Sequence, residues 1–168
     1  MKIAGLIRND VVNGYDVCVS VWVQGCPFHC EGCHNPQTWD FDGGIEVEED
    51  EFIEEVIESI KRNGVRRNLS LLGGEPLCKQ NYPFVKKLIM SVREKYPRIK
   101  VFIWTGYRFE DLTREQLRVV TFADTIVDGQ FELANRDITL PFRGSSNQRI
   151  IDVKKTLETG SIVETEKL

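Results

Sequence analysis

The sequence predicts an α/β fold, built as a partial, open (β/α) barrel. Stretches with strand periodicity alternate along the chain with stretches of helical periodicity, which is the order that parallel β/α units require. Cysteine, glycine and polar clusters follow the carboxyl ends of four predicted strands, and in barrel-like α/β folds those ends carry the active site. The chain has 168 residues. A full eight-unit barrel takes ~250, so we expect only part of one.

The first predicted strand leads directly into a loop rich in cysteine. Valine occupies every second position in residues 17–23, the period-2 pattern of a strand. Apolar residues at helical spacing in residues 52–60 predict the first helix, and Gly64 predicts its end. Residues 68–72 predict a second strand, which stops at Gly73-Gly74-Glu75-Pro76.

The second half of the chain repeats this order. Residues 84–92 have helical spacing, and Val101–Trp104 predicts a third strand that ends at Thr105-Gly106-Tyr107. Thr113 and Gln116 have the spacing of a capping box, which predicts the start of another helix.

A fourth strand and a polar tail complete the prediction. Residues 125–127 predict the strand, which ends at Asp128-Gly129. We expect one domain over residues 1–152 and a polar, frayed C-terminal tail over residues 153–168.

Composition excludes several classes of function. The net charge is −4, and no basic stripe predicts a nucleic-acid interface or a membrane surface. No apolar run is long enough to span a bilayer, and the first residues do not form a signal peptide. A cytoplasmic location is therefore expected. Because cytoplasmic thiols stay reduced, the five cysteines are interpreted as ligands or core thiols and not as disulfides.

Three of those cysteines, Cys26, Cys30 and Cys33, share one short loop. Three thiolates can bind three irons of a four-iron cluster and leave the fourth iron open for chemistry. The alternative is a structural zinc site, which needs a fourth ligand. Four side chains are candidates for that ligand: His29, His34, Cys18 and Cys78. Paired C-x-x-C half-sites are absent, which disfavours zinc, and Cys18 and Cys78 are expected to be core thiols.

A resemblance to a known family rests on ordered segments. They are Cys30-Glu31-Gly32-Cys33-His34-Asn35-Pro36-Gln37-Thr38-Trp39, Leu72-Gly73-Gly74-Glu75-Pro76-Leu77, Trp104-Thr105-Gly106-Tyr107, Val127-Asp128-Gly129-Gln130-Phe131 and Arg143-Gly144-Ser145-Ser146-Asn147-Gln148-Arg149. The chain resembles the radical S-adenosylmethionine (SAM) enzymes and, among them, the activating proteins of anaerobic ribonucleoside-triphosphate reductases. The resemblance implies a barrel of the radical SAM type and covers the chain as far as Arg149.

The resemblance also implies a chemistry. Cys26, Cys30 and Cys33 would hold a [4Fe-4S] cluster whose open iron binds SAM. One electron would split SAM into methionine and a 5′-deoxyadenosyl radical, and that radical would take a hydrogen atom from a glycine of the reductase large subunit. The family expectation for the electron donor is a flavodoxin.

SAM contacts are implied at six positions: Gly32, Cys33, His34, Gly73, Gly74 and Glu75. The first three would pass along the adenine, while the glycine backbones and the Glu75 charge would meet the methionyl group. Trp104 and Tyr107 would line the nucleoside end or fill the core. Asp128 would contact ribose or the glycine loop, or cap a turn. Residues 143–149 would contact the partner, close over the cofactor, or form an ordinary exposed loop.

Two other functions remain open at this stage. A radical SAM enzyme of similar core can instead activate a formate-lyase-type partner or act on a small molecule, as in deazaguanine synthesis. A zinc-binding scaffold module is the alternative from a different class, since it would use the same cysteines without catalysis.

Overall fold

The computed structural model describes residues 1–166, in which a seven-stranded sheet forms the centre. The strands are β1 (Lys2–Asp10), β2 (Cys18–Val23), β3 (Ile45–Glu46), β4 (Asn68–Gly73), β5 (Val101–Trp104), β6 (Thr125–Asp128) and β7 (Arg149–Asp152). Their order across the sheet is β3-β1-β2-β4-β5-β6-β7. Four consecutive strands in this order, β2, β4, β5 and β6, run parallel, whereas β1, β3 and β7 pair antiparallel.

Within the same residues the helices are α1 (Glu49–Ile60), α2 (Tyr82–Lys95), α3 (Arg114–Val120) and α4 (Val153–Thr159). The predicted capping box is confirmed at the start of α3. Gln116 N donates to Thr113 Oγ1 over 3.3 Å, and Thr113 N donates to Gln116 Oε1 over 2.9 Å. Among residues 1–166 no helix is long and apolar enough to cross a membrane.

The alternation of valine with polar and aromatic side chains along β2 determines which face of the sheet the helices cover. Val19, Val21 and Val23 belong to the main hydrophobic core, together with the apolar sides of α1 and α2. Because successive side chains of a strand point to opposite faces, Ser20 and Trp22 face the other way. The helices therefore cover one face, and the opposite face is free to form a cavity.

The register of the parallel strands brings their carboxyl ends together. Val23 pairs with Gly73 at the ends of β2 and β4, and Trp104 pairs with Val127 near the ends of β5 and β6. The loops after these strands therefore meet at one edge of the sheet, as predicted. The α/β class is confirmed and the sheet of the described residues does not close, while the assignment to the radical SAM barrel stays a prediction.

The expectation of a frayed tail is wrong for residues 153–166. Helix α4 begins on Asp152, whose Oδ1 accepts from Lys155 N over 3.0 Å, and it buries Val153. The chain then returns along β7, where Asp152 N donates to Val163 O over 2.9 Å. A segment whose side chains are mostly polar is thus ordered by hydrogen bonds of its backbone. The last part of the predicted tail, residues 167–168, lies outside the described residues, and the domain boundary at residue 152 stays a prediction.

Candidate functional site

A cavity of about 530 Å³ lies at the carboxyl ends of the parallel strands. Its volume falls within the range of roughly 300–1,000 Å³ that is typical of small-molecule sites. Most of the predicted site residues line it: Cys26, Cys30, Cys33, His34, Gly73, Gly74 and Glu75. Gly32 is not among the lining residues; it is exposed, and a Cβ added there would lie 2.9 Å from Leu133 Cδ1. Loops after β2, β4, β5 and β6 therefore contribute to one site.

The cysteine loop is closed by backbone hydrogen bonds between its two ends. Gly25 N donates to Thr38 O over 2.8 Å, and Cys26 N donates to Trp39 O over 3.1 Å. The Gln24 amide lies buried beneath and donates from Nε2 to the carbonyl oxygens of residues 37 and 40. These bonds fix the loop above the end of β2, so the three thiols sit on a defined support.

The three loop thiols are free and partly exposed. Burial raises the pKa of Cys26 to about 11, with a further contribution from the negative charge of Glu75. Burial also raises the pKa of Cys30, and the neighbouring Cys33 adds to that shift. Cys26 is therefore protonated at neutral pH in the metal-free chain. Since thiolates are the ligands of iron, assembly of a cluster on these cysteines would have to release these protons.

The donor set suits a cluster better than a single zinc ion. Within residues 1–166 no three His, Cys, Asp or Glu side chains converge on one metal position. A zinc ion needs four ligands on one centre, whereas cluster cysteines each bind a different iron. Cys18 and Cys78 are buried, as predicted for core thiols. His29 stacks on Trp39 with ring centroids 4.8 Å apart. Three thiols on one loop beside one cavity fit the cluster.

Glu75 connects the ends of β4 and β5. Its side chain is 1% exposed. Oε1 accepts from Leu77 N and from Thr105 Oγ1, both over 2.8 Å, and Oε2 accepts from Gly106 N over 2.7 Å. The carboxylate thus holds the loop after β5 against the cavity. This gives Glu75 a positioning role, and its contact with the SAM ammonium stays a prediction.

Burial gives Glu75 a pH-dependent effect on stability. It raises the pKa of this carboxyl from 4.5 to about 7, although three hydrogen bonds oppose the shift. The folded chain holds the proton more tightly than the unfolded chain. The stability that Glu75 contributes is therefore complete below pH 4.5 and is lost as the pH rises through 7. Between about pH 5 and 8 the metal-free wild type should lose about 2–3 kcal/mol more unfolding free energy than Glu75→Gln, which cannot titrate. Urea unfolding at several pH values measures this, and parallel pH curves for the two proteins would contradict it.

Gly73 and Gly74 allow the end of β4 to approach β2. A Cβ on Gly73 would lie 2.8 Å from Val23 N, and a Cβ on Gly74 would lie 2.3 Å from Gly25 O. Gly73 also has a φ of +109°, which L side chains rarely adopt. The chain's own packing therefore requires both glycines. Their predicted contacts with SAM are not tested by this packing.

The Arg-Gly-Ser-Ser-Asn-Gln-Arg segment, residues 143–149, is folded back onto the end of β6. Gln148 Nε2 donates to Gly129 O over 2.9 Å, and Gln148 Oε1 accepts from Gly144 N over 2.9 Å. Ser145 is fully buried. Three residues of the segment line the cavity: Arg143, Gly144 and Gln148. It is therefore part of the cavity wall, while its predicted contacts with cofactor or partner remain predictions.

Three further predicted residues, Asp128, Trp104 and Tyr107, lie in different surroundings. Asp128 is fully buried, where it pairs with Arg149 (2.9 Å from Oδ1 to Nε) and accepts from Phe109 N over 2.8 Å. It therefore joins the end of β6 to the segment after β5 and to the start of β7. Trp104 lines the cavity and donates from Nε1 to Phe142 O over 2.9 Å. Tyr107 instead packs against the core.

Sequence reasoning missed two tryptophan donors. Trp22 and Trp39 line the cavity, and their Nε1 atoms are buried without a hydrogen-bond partner among the described residues. A buried N–H left unpaired costs about 1–3 kcal/mol, so both indole groups are unsatisfied donors in residues of the cavity wall. The position of Trp22 in an otherwise valine-rich strand was a signal for the first of them.

Comparison with known proteins agrees with this site. A family model described as a 4Fe-4S single cluster domain matches residues 12–151. Anaerobic ribonucleoside-triphosphate reductase-activating proteins are similar over most of the chain. The one from Escherichia coli (strain K12) is 38% identical over 143 residues, which is 83% of this chain and 90% of the relative.

Relatives from other sources carry the same name. The protein from Vibrio cholerae serotype O1 is 35% identical over 142 residues, covering 84% of this chain and 91% of its own length. The protein from enterobacteria phage T4 is 35% identical over 141 residues, covering 84% of this chain and 87% of its own length. The cysteine loop, the cavity beside it and these similarities agree: this chain belongs to the family of anaerobic ribonucleoside-triphosphate reductase-activating proteins.

Proposed function

We propose that this chain generates a glycyl radical on the large subunit of an anaerobic ribonucleoside-triphosphate reductase, by reductive cleavage of SAM at a [4Fe-4S] cluster. The observation that carries the proposal is the cavity of about 530 Å³, which three loop cysteines and the glycine-rich end of β4 line together. The names of the relatives supply the partner.

Cys26, Cys30 and Cys33 would hold the cluster, because they are the cysteines that line the cavity. When bound, the cluster supplies the electron that splits SAM into methionine and a 5′-deoxyadenosyl radical. The protein's own task is to bind, orient and exclude water.

The remaining cavity residues would bind the two ends of SAM. Gly73 and Gly74 expose backbone to the cavity next to the cysteines, where the methionyl group would lie. Cys33 and His34 line the same cavity at the cysteine loop, where the adenine would lie.

The reductase would bring its glycine to this cavity. A site of this volume accommodates one SAM-sized ligand, so the reacting glycine would enter on a loop of the large subunit. We further propose an anaerobic cytoplasmic setting, because a cluster with an open iron is sensitive to oxygen. A flavodoxin is the proposed electron donor.

Radical transfer to the partner tests the proposal directly. The anaerobically reconstituted chain is incubated with SAM, a reductant and the reductase, and the reductase is examined by EPR while 5′-deoxyadenosine is quantified. We expect a glycyl radical on the reductase and formation of 5′-deoxyadenosine, and neither product with Cys30→Ala. Production of 5′-deoxyadenosine without any glycyl radical would contradict the assigned substrate and favour a small-molecule substrate.

A further inference from the structure

A second concave site lies at the opposite end of the sheet from the cysteine cavity. It has a volume of about 260 Å³ and sits where α1 and α2 end and where the chain enters β4 and β5. Its lining residues are Ile60, Lys61, Arg66, Lys95, Tyr96, Pro97, Arg98 and Ile99. The site is therefore separate from the proposed catalytic cavity and shares no residue with it.

The site is positively charged, whereas the whole protein carries a net negative charge. Four of its lining residues are cationic, Lys61, Arg66, Lys95 and Arg98, and none is acidic. The whole chain has a net charge of −4. Four like charges around one small concavity repel one another, and this repulsion is largest when no anion lies between them.

The described residues do not neutralise these four cations. Arg66 donates from Nη2 to the main-chain oxygen of Arg98, which joins the two loops but leaves both charges in place. No carboxylate in residues 1–166 forms an ion pair with any of the four. Nearby, by contrast, Arg93 and Lys100 both pair with Asp124. Within the described residues, these two neighbouring cations therefore have a carboxylate partner, whereas the four that line the site do not.

Helix ends account for only half of the positive charge. Lys61 is the C-cap of α1 and Lys95 lies in the last turn of α2, where a cation interacts favourably with the helix dipole. Arg66 and Arg98 lie outside the helices, on the segments that lead into β4 and β5. Their guanidinium groups have no such explanation, and planar guanidinium groups are well suited to phosphate oxygens.

We propose that this site binds an oligophosphate group. The concavity is smaller than most sites for drug-sized ligands, so it fits a short phosphate chain better than a whole large ligand. Several adjacent negative charges would match Lys61, Arg66, Lys95 and Arg98. Tyr96 lies half-buried in the lining, where its ring offers a surface for a base attached to the phosphates.

Calorimetric titration of the folded chain at low ionic strength tests the proposal with three probes: inorganic triphosphate, ATP and adenosine. We expect both triphosphates to bind the wild type. The Arg66→Gln, Arg98→Gln double variant should have an affinity for inorganic triphosphate that is lower by about tenfold or more. The matched control is Arg114→Gln with Arg118→Gln, two exposed arginines of α3 that form no ion pair within residues 1–166. The control should bind as the wild type does. Circular dichroism verifies that each variant is folded.

The probes also distinguish the source of the phosphate. ATP binding more tightly than inorganic triphosphate would identify a nucleotide ligand, and equal binding would identify the phosphate chain alone; both results support the site. Adenosine that competes with ATP but not with triphosphate would place the base beside the phosphate chain, which also supports the site. The proposal is overturned if inorganic triphosphate does not bind the wild type, or if the double variant and the control bind it equally.

Discussion

Replacing Cys26, Cys30 or Cys33 by alanine should abolish both cluster assembly and SAM cleavage. Each thiol lines the cavity, and each would bind a different iron, so no neighbouring cysteine can substitute for the one removed. Within the described residues, the two other cysteines are buried away from the cavity lining. Iron and sulfide content after anaerobic reconstitution, together with 5′-deoxyadenosine production, measures the effect.

The matched controls are Cys18→Ala and Cys78→Ala. Both thiols are buried. Their removal should cost some stability through a small cavity, on the order of 1 kcal/mol, and should leave iron content and SAM cleavage intact. Retained cleavage in any variant of the three loop cysteines would remove the cluster assignment. Loss of the cluster in the controls would mean that its ligands had been chosen wrongly.

Gly74→Ala should destabilise the protein by about 3 kcal/mol and lower its capacity to hold a cluster. The added Cβ would lie 2.3 Å from Gly25 O, an approach that real Cβ atoms do not make. The obstacle is backbone, which a side-chain rotation cannot relieve. Gly25 O also accepts from Glu75 N over 2.8 Å, so moving it would disturb the start of the cysteine loop. Urea unfolding measures the stability, and iron content measures the effect on the site.

Gly5→Ala provides the comparison within the same sheet. A Cβ at this position of β1 meets no atom within 4 Å. We expect a change of no more than about 0.5–1 kcal/mol in the free energy of unfolding and normal iron content. If Gly74→Ala were as stable and as iron-rich as Gly5→Ala, the close approach of β4 to the cysteine loop would not be a requirement of the fold.

The parallel units of the fold were predictable because their residues follow simple periods. In β2 the valines alternate, and their burial in the core confirms the interpretation of residues 17–23 as a strand. Helix α1 buries Phe52, Ile53, Val56 and Ile57 on one side, as its spacing predicts. Local patterns of this kind identify an element before any tertiary contact is known.

The antiparallel strands were missed for local reasons. The pairing of β1 with β2 shifts register between Ile3 and Gly5 and again between Ile7 and Asp10, and such irregularities break the period-2 pattern. Strand β7 begins at Arg149, the last residue of the segment 143–149, and the interpretation of that segment as a loop concealed the strand. The segment after α4 is held against β7 by backbone bonds of residues 163 and 165, which composition does not reveal.

The candidate site was predictable in its chemistry and less so in its structure. The cysteine loop and the Gly-Gly-Glu-Pro turn stand out as motifs, and their residues meet at one cavity. The partners of Glu75, however, come from Thr105 and Gly106, far along the chain. Only the register of β4 against β5 brings those groups together. Long-range hydrogen bonds of this type leave no periodic signal in the sequence.

Low-temperature EPR of the anaerobically reconstituted and reduced protein, recorded with and without SAM, tests the central claim most directly. The proposed open iron beside the cavity would require SAM to bind at the cluster itself, so we predict an iron–sulfur signal that changes when SAM is added. Absence of an iron–sulfur signal from folded, iron-loaded protein, or a cluster signal that SAM leaves unchanged, would contradict the proposed radical mechanism.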